Sequence, residues 1–161
     1  MSFSSSNILV PAITILASFF SLLHIGSDSI WFDEAHSIYF AKLSWEEFYR
    51  IITAYEANQG FYYLLLKLWV NLGESETIVR TLSVVFAVCS VPFIYLTVEK
   101  LFGKRSGLVA ALLLSLNAFF LYFAQEARRY SLLLLFVVIG TYLYIVLVED
   151  PSNNKVWCGY I

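Results

Sequence analysis

Carboxylates and guanidinium groups stand beside apolar runs at three places in the chain. Asp33 and Glu34 follow Ile30-Trp31-Phe32 directly, Glu56 precedes Asn58 and Gln59, and Glu126 precedes the paired cations Arg128 and Arg129. Together they supply what a site at a water–lipid boundary requires. A carboxylate can act as a base, guanidinium groups can hold an anionic lipid headgroup, and the neighbouring aromatic side chains can form walls. Each group also has a plainer role. Asp33 suits the N-cap of a short helix starting at Glu34, with Glu34 as a first-turn acid favoured by the helix dipole. Glu126 and Arg129 stand at i and i+3, the spacing of an ordinary surface pair, and Arg128 can snorkel. His24 and His36 have no spaced His or Cys partner, which disfavours a metal role for them.

The elements that must position these groups follow from composition. The 161 residues are 60% hydrophobic and 14% charged, against about 45–50% and 25% in soluble domains. Mean hydropathy is +0.73. A soluble enzyme, a disordered chain and a nucleic-acid binder are poor fits, because the net charge of −2 offers no basic footprint. Two cysteines, Cys89 and Cys158, cannot build a disulfide framework or a Cys-based zinc site. The expected fold class is all-α: one polytopic membrane domain with about four spans, each near the 20 residues that cross a bilayer core. The spans are expected at residues 8–25, 77–98, 106–124 and 130–148. Pro92 is expected to kink the second, and Gly103 to cap its end. The first stretch lacks a basic n-region and an A-x-A site, so it reads as an uncleaved anchor rather than a signal peptide.

Lys100, Lys104 and Arg105 place the loop between spans two and three in the cytoplasm, and so residues 26–76 outside it. Arg128 and Arg129 then fall in an outer loop, against the positive-inside trend. This orientation puts all three chemical groups on one side of the membrane, where they can converge. The outer loop is long enough to have a task. Ser44 and Glu47 form a capping-box pattern for a helix through about Ala57. The apolar run Phe61–Trp69 suits an interfacial helix ending near Gly73, and Ser75 suits the cap of the second span. Trp31, Trp45, Tyr62, Tyr63 and Trp69 are the residue types found at headgroup depth.

Four segments, in order, resemble a known family. Trp31-Phe32-Asp33-Glu34-Ala35-His36-Ser37 resembles the W-x-D-E-A-x-S segment of integral-membrane glycosyltransferases with the GT-C fold. These are similar to protein O-mannosyltransferases and aminoarabinose transferases. Glu56 to Trp69 resembles their H-P-P-L-Y-Y-L-L-L segment, Ser75 to Ser83 resembles S-E-x-x-x-R-x-x-S, and Ala124 to Tyr130 resembles S-Q-E-A-R-x-Y. The Pro-Pro pair and the family's His are replaced around Asn58-Gln59-Gly60. The chain stops soon after the fourth span, whereas such enzymes have many more, so it resembles the N-terminal part of one, a partial GT-C fold.

The resemblance implies transfer of a sugar from a polyprenyl-phosphate carrier to an acceptor hydroxyl on the extracytoplasmic face of the cell membrane, with inversion. Asp33 would be the catalytic base. Arg128, and after it Arg129, would hold the donor phosphate, and Glu126 would orient an arginine. Glu34 and Glu56 would position the acceptor or hold a divalent cation. Membrane lipid surrounds such a site, and a partner chain would supply the missing helices. The competing reading is non-catalytic: an inactive remnant, or a small membrane assembly or transport protein. The nearly charge-free spans argue against a pore.

Overall fold

Apolar stretches without strand-like alternation have one way to satisfy their backbone in lipid, which is to form helices. The computed structural model describes residues 6–152 and 154–160, and among these every regular element is helical. The order is α1 (Ser6–Leu22), α2 (Phe32–Lys42), α3 (Trp45–Ala54), α4 (Gly60–Trp69), α5 (Glu76–Phe102), α6 (Lys104–Ser115), α7 (Ala118–Ala124), α8 (Tyr130–Glu149) and α9 (Asn154–Tyr160). A 3₁₀ turn at Val70–Leu72 follows α4. Helix α5 is the central member, packing against α1, α6 and α8.

Two helices, α5 and α8, are long and apolar enough to cross a membrane. The stretch expected as a third span is instead two helices, α6 and α7, bent by 58°. The cause is local. Leu116 closes α6, and the Asn117 side chain caps α7 by accepting the Phe120 N–H at 3.0 Å. The pair makes a third crossing if it counts as one broken span. Helix α1 is apolar but shorter. It ends at Leu22, before the expected boundary, because His24 turns into the left-handed region at φ 61°. Helix α5 runs on through Pro92 and stops at Gly103, whose φ of 84° suits glycine.

The segment between α1 and α5 holds α2, α3 and α4. The Ser44–Glu47 capping box forms, and Ser75 caps α5 through the Ile78 N–H. Helix α3 ends at Ala54, short of the expected end near Ala57, so Glu56 lies just beyond the helix rather than within it. Asp33 is not an N-cap. Trp31 holds that position in extended conformation, and the Ala35 N–H donates to its carbonyl at 2.9 Å. Helix α2 therefore starts at Phe32 and carries both acids in its first turn. Lys67 ties α4 to the α2–α3 junction. Its ammonium donates to the carbonyls of Ala41 and Leu43 and lies 4.8 Å from the Trp45 ring centre.

Candidate active site

Neighbouring residues on a helix point about 100° apart. Asp33 and Glu34 therefore leave α2 in different directions and meet different partners. Glu34 is fully buried, at 0% exposure. Arg80, in the second turn of α5, donates from Nε to its Oε1 at 2.9 Å and from Nη2 to its Oε2 at 2.7 Å. Nη1 of Arg80 donates to the carbonyls of Ile25 and Asp28, and Nη2 to that of Ser29. All five guanidinium N–H groups are thus used inside the protein. Glu34 Oε1 also accepts the Ala127 N–H at 2.9 Å. One carboxylate joins α2, α5 and the α7–α8 link, while one guanidinium fixes the link from α1 to α2. A desolvated ion pair persists when its remaining donors and acceptors are filled in this way.

Asp33, half-buried, meets Arg128. Its Oδ2 lies 2.5 Å from Nη1 of the arginine, and the Arg128 side chain is 15% exposed. The same guanidinium lies 5.6 Å from the Tyr130 ring centre. Its Nε–H is buried with no acceptor among the described residues. Arg128 is therefore not a snorkelling surface cation.

The α7–α8 link is held from several sides. Gln125 Nε2 donates to the carbonyls of Leu23, at 2.8 Å, and Phe20. Ser83 donates to the Arg128 carbonyl at 3.3 Å and shares a 3.1 Å hydrogen bond with the Tyr62 hydroxyl. Burial pushes the Tyr62 hydroxyl well above its usual pKa, against the opposing effect of Ser83. Glu126 is 6% exposed. Burial holds its carboxyl above the ordinary range. Tyr122, which hydrogen-bonds to it, and Arg128 pull the other way, while Glu34 and Asp33 add to the rise. The expected surface pair of Glu126 with Arg129 is not among the ion pairs of the described residues.

The structure thus brings Asp33, Glu34, Glu126 and Arg128 together. Glu56 stays apart, accepting a 3.1 Å hydrogen bond from Gln59. Its charge is felt at Tyr63, whose hydroxyl is raised first by burial and then by Glu56; Arg128, Ser37 and Arg129 oppose that rise. Arg129 lines a groove of about 120 Å³ with Gln59, Phe61, Tyr62 and Phe136. Among the described residues no group of three or more His, Cys, Asp or Glu could hold a metal ion. Of these carboxylates, Glu34 is already bonded to Arg80 and Ala127.

Sequence reasoning gave no site role to Arg80 or Ser83. A signal existed for Arg80, because an arginine inside an apolar span is rarely without a buried partner.

No curated protein and no solved structure matches the chain. Residues 51–161 match the family model described as dolichyl-phosphate-mannose-protein mannosyltransferase; the stretch includes Arg80, Glu126 and Arg128 and begins after Asp33 and Glu34. Because that match takes in more than half of its residues, this all-helical chain belongs to that family of GT-C-type membrane glycosyltransferases.

Proposed function

We propose that the protein transfers a sugar from a polyprenyl-phosphate carrier to an acceptor hydroxyl at the extracytoplasmic face of the membrane. The observation that carries this reading is the Asp33–Arg128 pair, in which a half-exposed carboxylate touches a largely buried guanidinium. A hydroxyl is a weak nucleophile near neutral pH, and a carboxylate within hydrogen-bond reach can take its proton. Asp33 is that base. The acceptor oxygen bonds to the anomeric carbon from the face opposite the phosphate. The carbon–oxygen bond to phosphate breaks, its electron pair leaves with the phosphate, and the anomeric centre inverts.

The phosphate is a stable leaving group, but its growing charge needs compensation. Arg128 supports this with a buried Nε–H that has no acceptor among the described residues. One guanidinium can then hold the base on Nη1 and receive the phosphate on its other donors. Glu34 acts through Arg80 and Ala127, as a positioning residue. Glu126 lies two residues before Arg128 and orients the same segment. No step is routed through a metal ion.

The test is transfer of label from a polyprenyl-phosphate sugar by membranes carrying the full protein. Asp33→Asn is expected to abolish transfer while membrane insertion stays normal. Transfer at the wild-type rate would remove Asp33 from the role of base.

A further inference from the structure

Arg129 follows Arg128 in sequence but borders the separate groove of about 120 Å³ between α4 and α8. Leu132, Leu133 and Phe136 line the same groove and stand at i+3, i+4 and i+7 from Arg129. One face of α8 therefore carries a cation at its head and hydrocarbon below it. Phe61 of α4 forms the facing wall, its ring stacked on that of Phe136 at 5.8 Å. Phe61, Leu133 and Phe136 are all exposed. Helix α8 is one of the two candidate spans, and few residues of its apolar stretch are buried inside the protein. Lipid surrounds such a face, and a cation at the end of a span sits at headgroup depth.

The polar end of the groove holds two unmet groups. The Arg129 guanidinium forms no ion pair among the described residues. Gln59 also lines the groove, and its Oε1 is buried without a hydrogen-bond partner among the described residues. The amide cannot turn to relieve this. Gln59 Nε2 donates to Glu56 Oε2 at 3.1 Å, and a flipped amide would set oxygen against carboxylate. The orphan oxygen therefore calls for a donor, and the Glu56 carboxylate one hydrogen bond away favours a cationic one. Burial raises the Tyr63 hydroxyl, Glu56 adds to the rise and Arg129 opposes it, so both charges act on one phenol. A phosphate on the guanidinium and a primary ammonium on the amide oxygen satisfy both groups at once. A glycerol headgroup brings hydroxyl donors but no positive charge for Glu56. A choline headgroup brings the charge but no N–H.

We propose that this groove binds a phospholipid with a phosphoethanolamine headgroup, its phosphate on Arg129, its ammonium on Gln59 Oε1 and its acyl chains along Leu132, Leu133 and Phe136. The site is independent of the glycosyl-transfer reading, since neither Asp33 nor Arg128 lines it. Native mass spectrometry of the full, delipidated protein in detergent reads the affinities. The probes are phosphatidylethanolamine, phosphatidylglycerol and phosphatidylcholine with matched chains, with polyprenyl phosphate and free phosphoethanolamine as competitors. Phosphatidylethanolamine is expected to bind about tenfold more tightly than the other two phospholipids, the scale of one charge-assisted hydrogen bond. Arg129→Ala is expected to weaken it by a similar factor. Gln59→Met is expected to bring it level with phosphatidylcholine while phosphatidylcholine itself binds as before, and that retained binding separates lost recognition from lost folding. Equal binding of the ethanolamine and choline lipids by the wild type, preference for phosphatidylglycerol, or a preference that survives Gln59→Met would overturn the proposal. Arg129-dependent displacement of the phospholipid by polyprenyl phosphate at equal concentration would give the groove to the sugar carrier instead. Displacement by free phosphoethanolamine at equal concentration would remove the apolar wall from the recognition and overturn the lipid assignment.

Discussion

Replacing Glu34 by glutamine isolates the structural half of the Asp33-Glu34 dipeptide. The change is nearly isosteric and removes one charge. Arg80 stays ionised, with its side chain 6% exposed. The new amide must turn its NH₂ toward Arg80 Nη2 or toward the Ala127 N–H and Arg80 Nε, so a donor meets a donor either way. Stranding one member of a buried pair costs about 3–5 kcal/mol. Because Arg80 keeps the carbonyls of Ile25, Asp28 and Ser29, the lower end, about 3 kcal/mol, is expected. That is a large share of the roughly 5–15 kcal/mol that holds a typical protein folded. The Glu34→Gln/Arg80→Met double variant removes the stranded charge and is expected to recover part of the loss. The assay is reversible unfolding in mixed detergent–SDS micelles, followed by circular dichroism, on all four members of the cycle. A coupling energy of about 2 kcal/mol is expected, within the range for residues in direct contact. A Glu34→Gln cost below about 1 kcal/mol, or a double variant whose loss is the sum of the singles, would refute the pairing as the element that locks α2 to α5.

Truncating Arg128 to alanine is expected to raise the KM for lipid donor about tenfold or more, the scale of a lost charge-assisted hydrogen bond. Arg129→Ala is expected to cost less, because Arg129 borders a separate groove; equal effects in donor kinetics would undo that ranking. Glu126 makes stability pH-dependent. Its folded carboxyl titrates above its unfolded value, so the folded state holds the extra proton. Its contribution is full below the unfolded value and declines as pH rises through the folded one. Glu126→Gln is expected to flatten that decline in thermal unfolding across acidic pH, and an unchanged slope would mean the burial has no titration consequence. Asn117→Ala removes the cap of α7 and is expected to cost about 0.5–2 kcal/mol in SDS unfolding. No loss there would detach the α6–α7 bend from its cap.

Local features were the legible ones. The capping box needs only Ser44 and Glu47 three residues apart, and the caps at Ser75 and Gly103 are equally short-range. The apolar runs that became α5 and α8 needed only length and composition. The Glu34–Arg80 pair joins residues 46 apart in sequence, and no periodicity connects them. The start of α2 was misread by two residues because Asp33 is a good capping type, whereas the backbone of Trp31 already accepts the first helical bond. That shift has a chemical consequence. A capping aspartate would turn its carboxylate onto its own backbone, but as the second residue of the helix the same carboxylate is free to meet Arg128. The broken span was hidden by its uniform apolarity. Asn117 within it was the one visible mark, since an asparagine side chain competes for backbone N–H groups and favours helix starts.

The link between α7 and α8 and the candidate site have a common origin. Non-helical backbone near an apolar phase is tolerated only where protein satisfies it. Between α7 and α8 the Ala127 N–H is satisfied by Glu34, the Arg128 carbonyl by Ser83, and the Arg128 N–H by the Glu126 carbonyl at 2.7 Å. These bonds make the interruption stable, and they also aim Arg128 at Asp33. A straight helix through residues 118–149 would need none of them and would carry Arg128 on a fixed 3.6-residue spiral. Loosening any one of these anchors is therefore expected to cost stability and to displace Arg128 together. This ties the positioning of the reacting pair to the energetics of the link between two candidate spans.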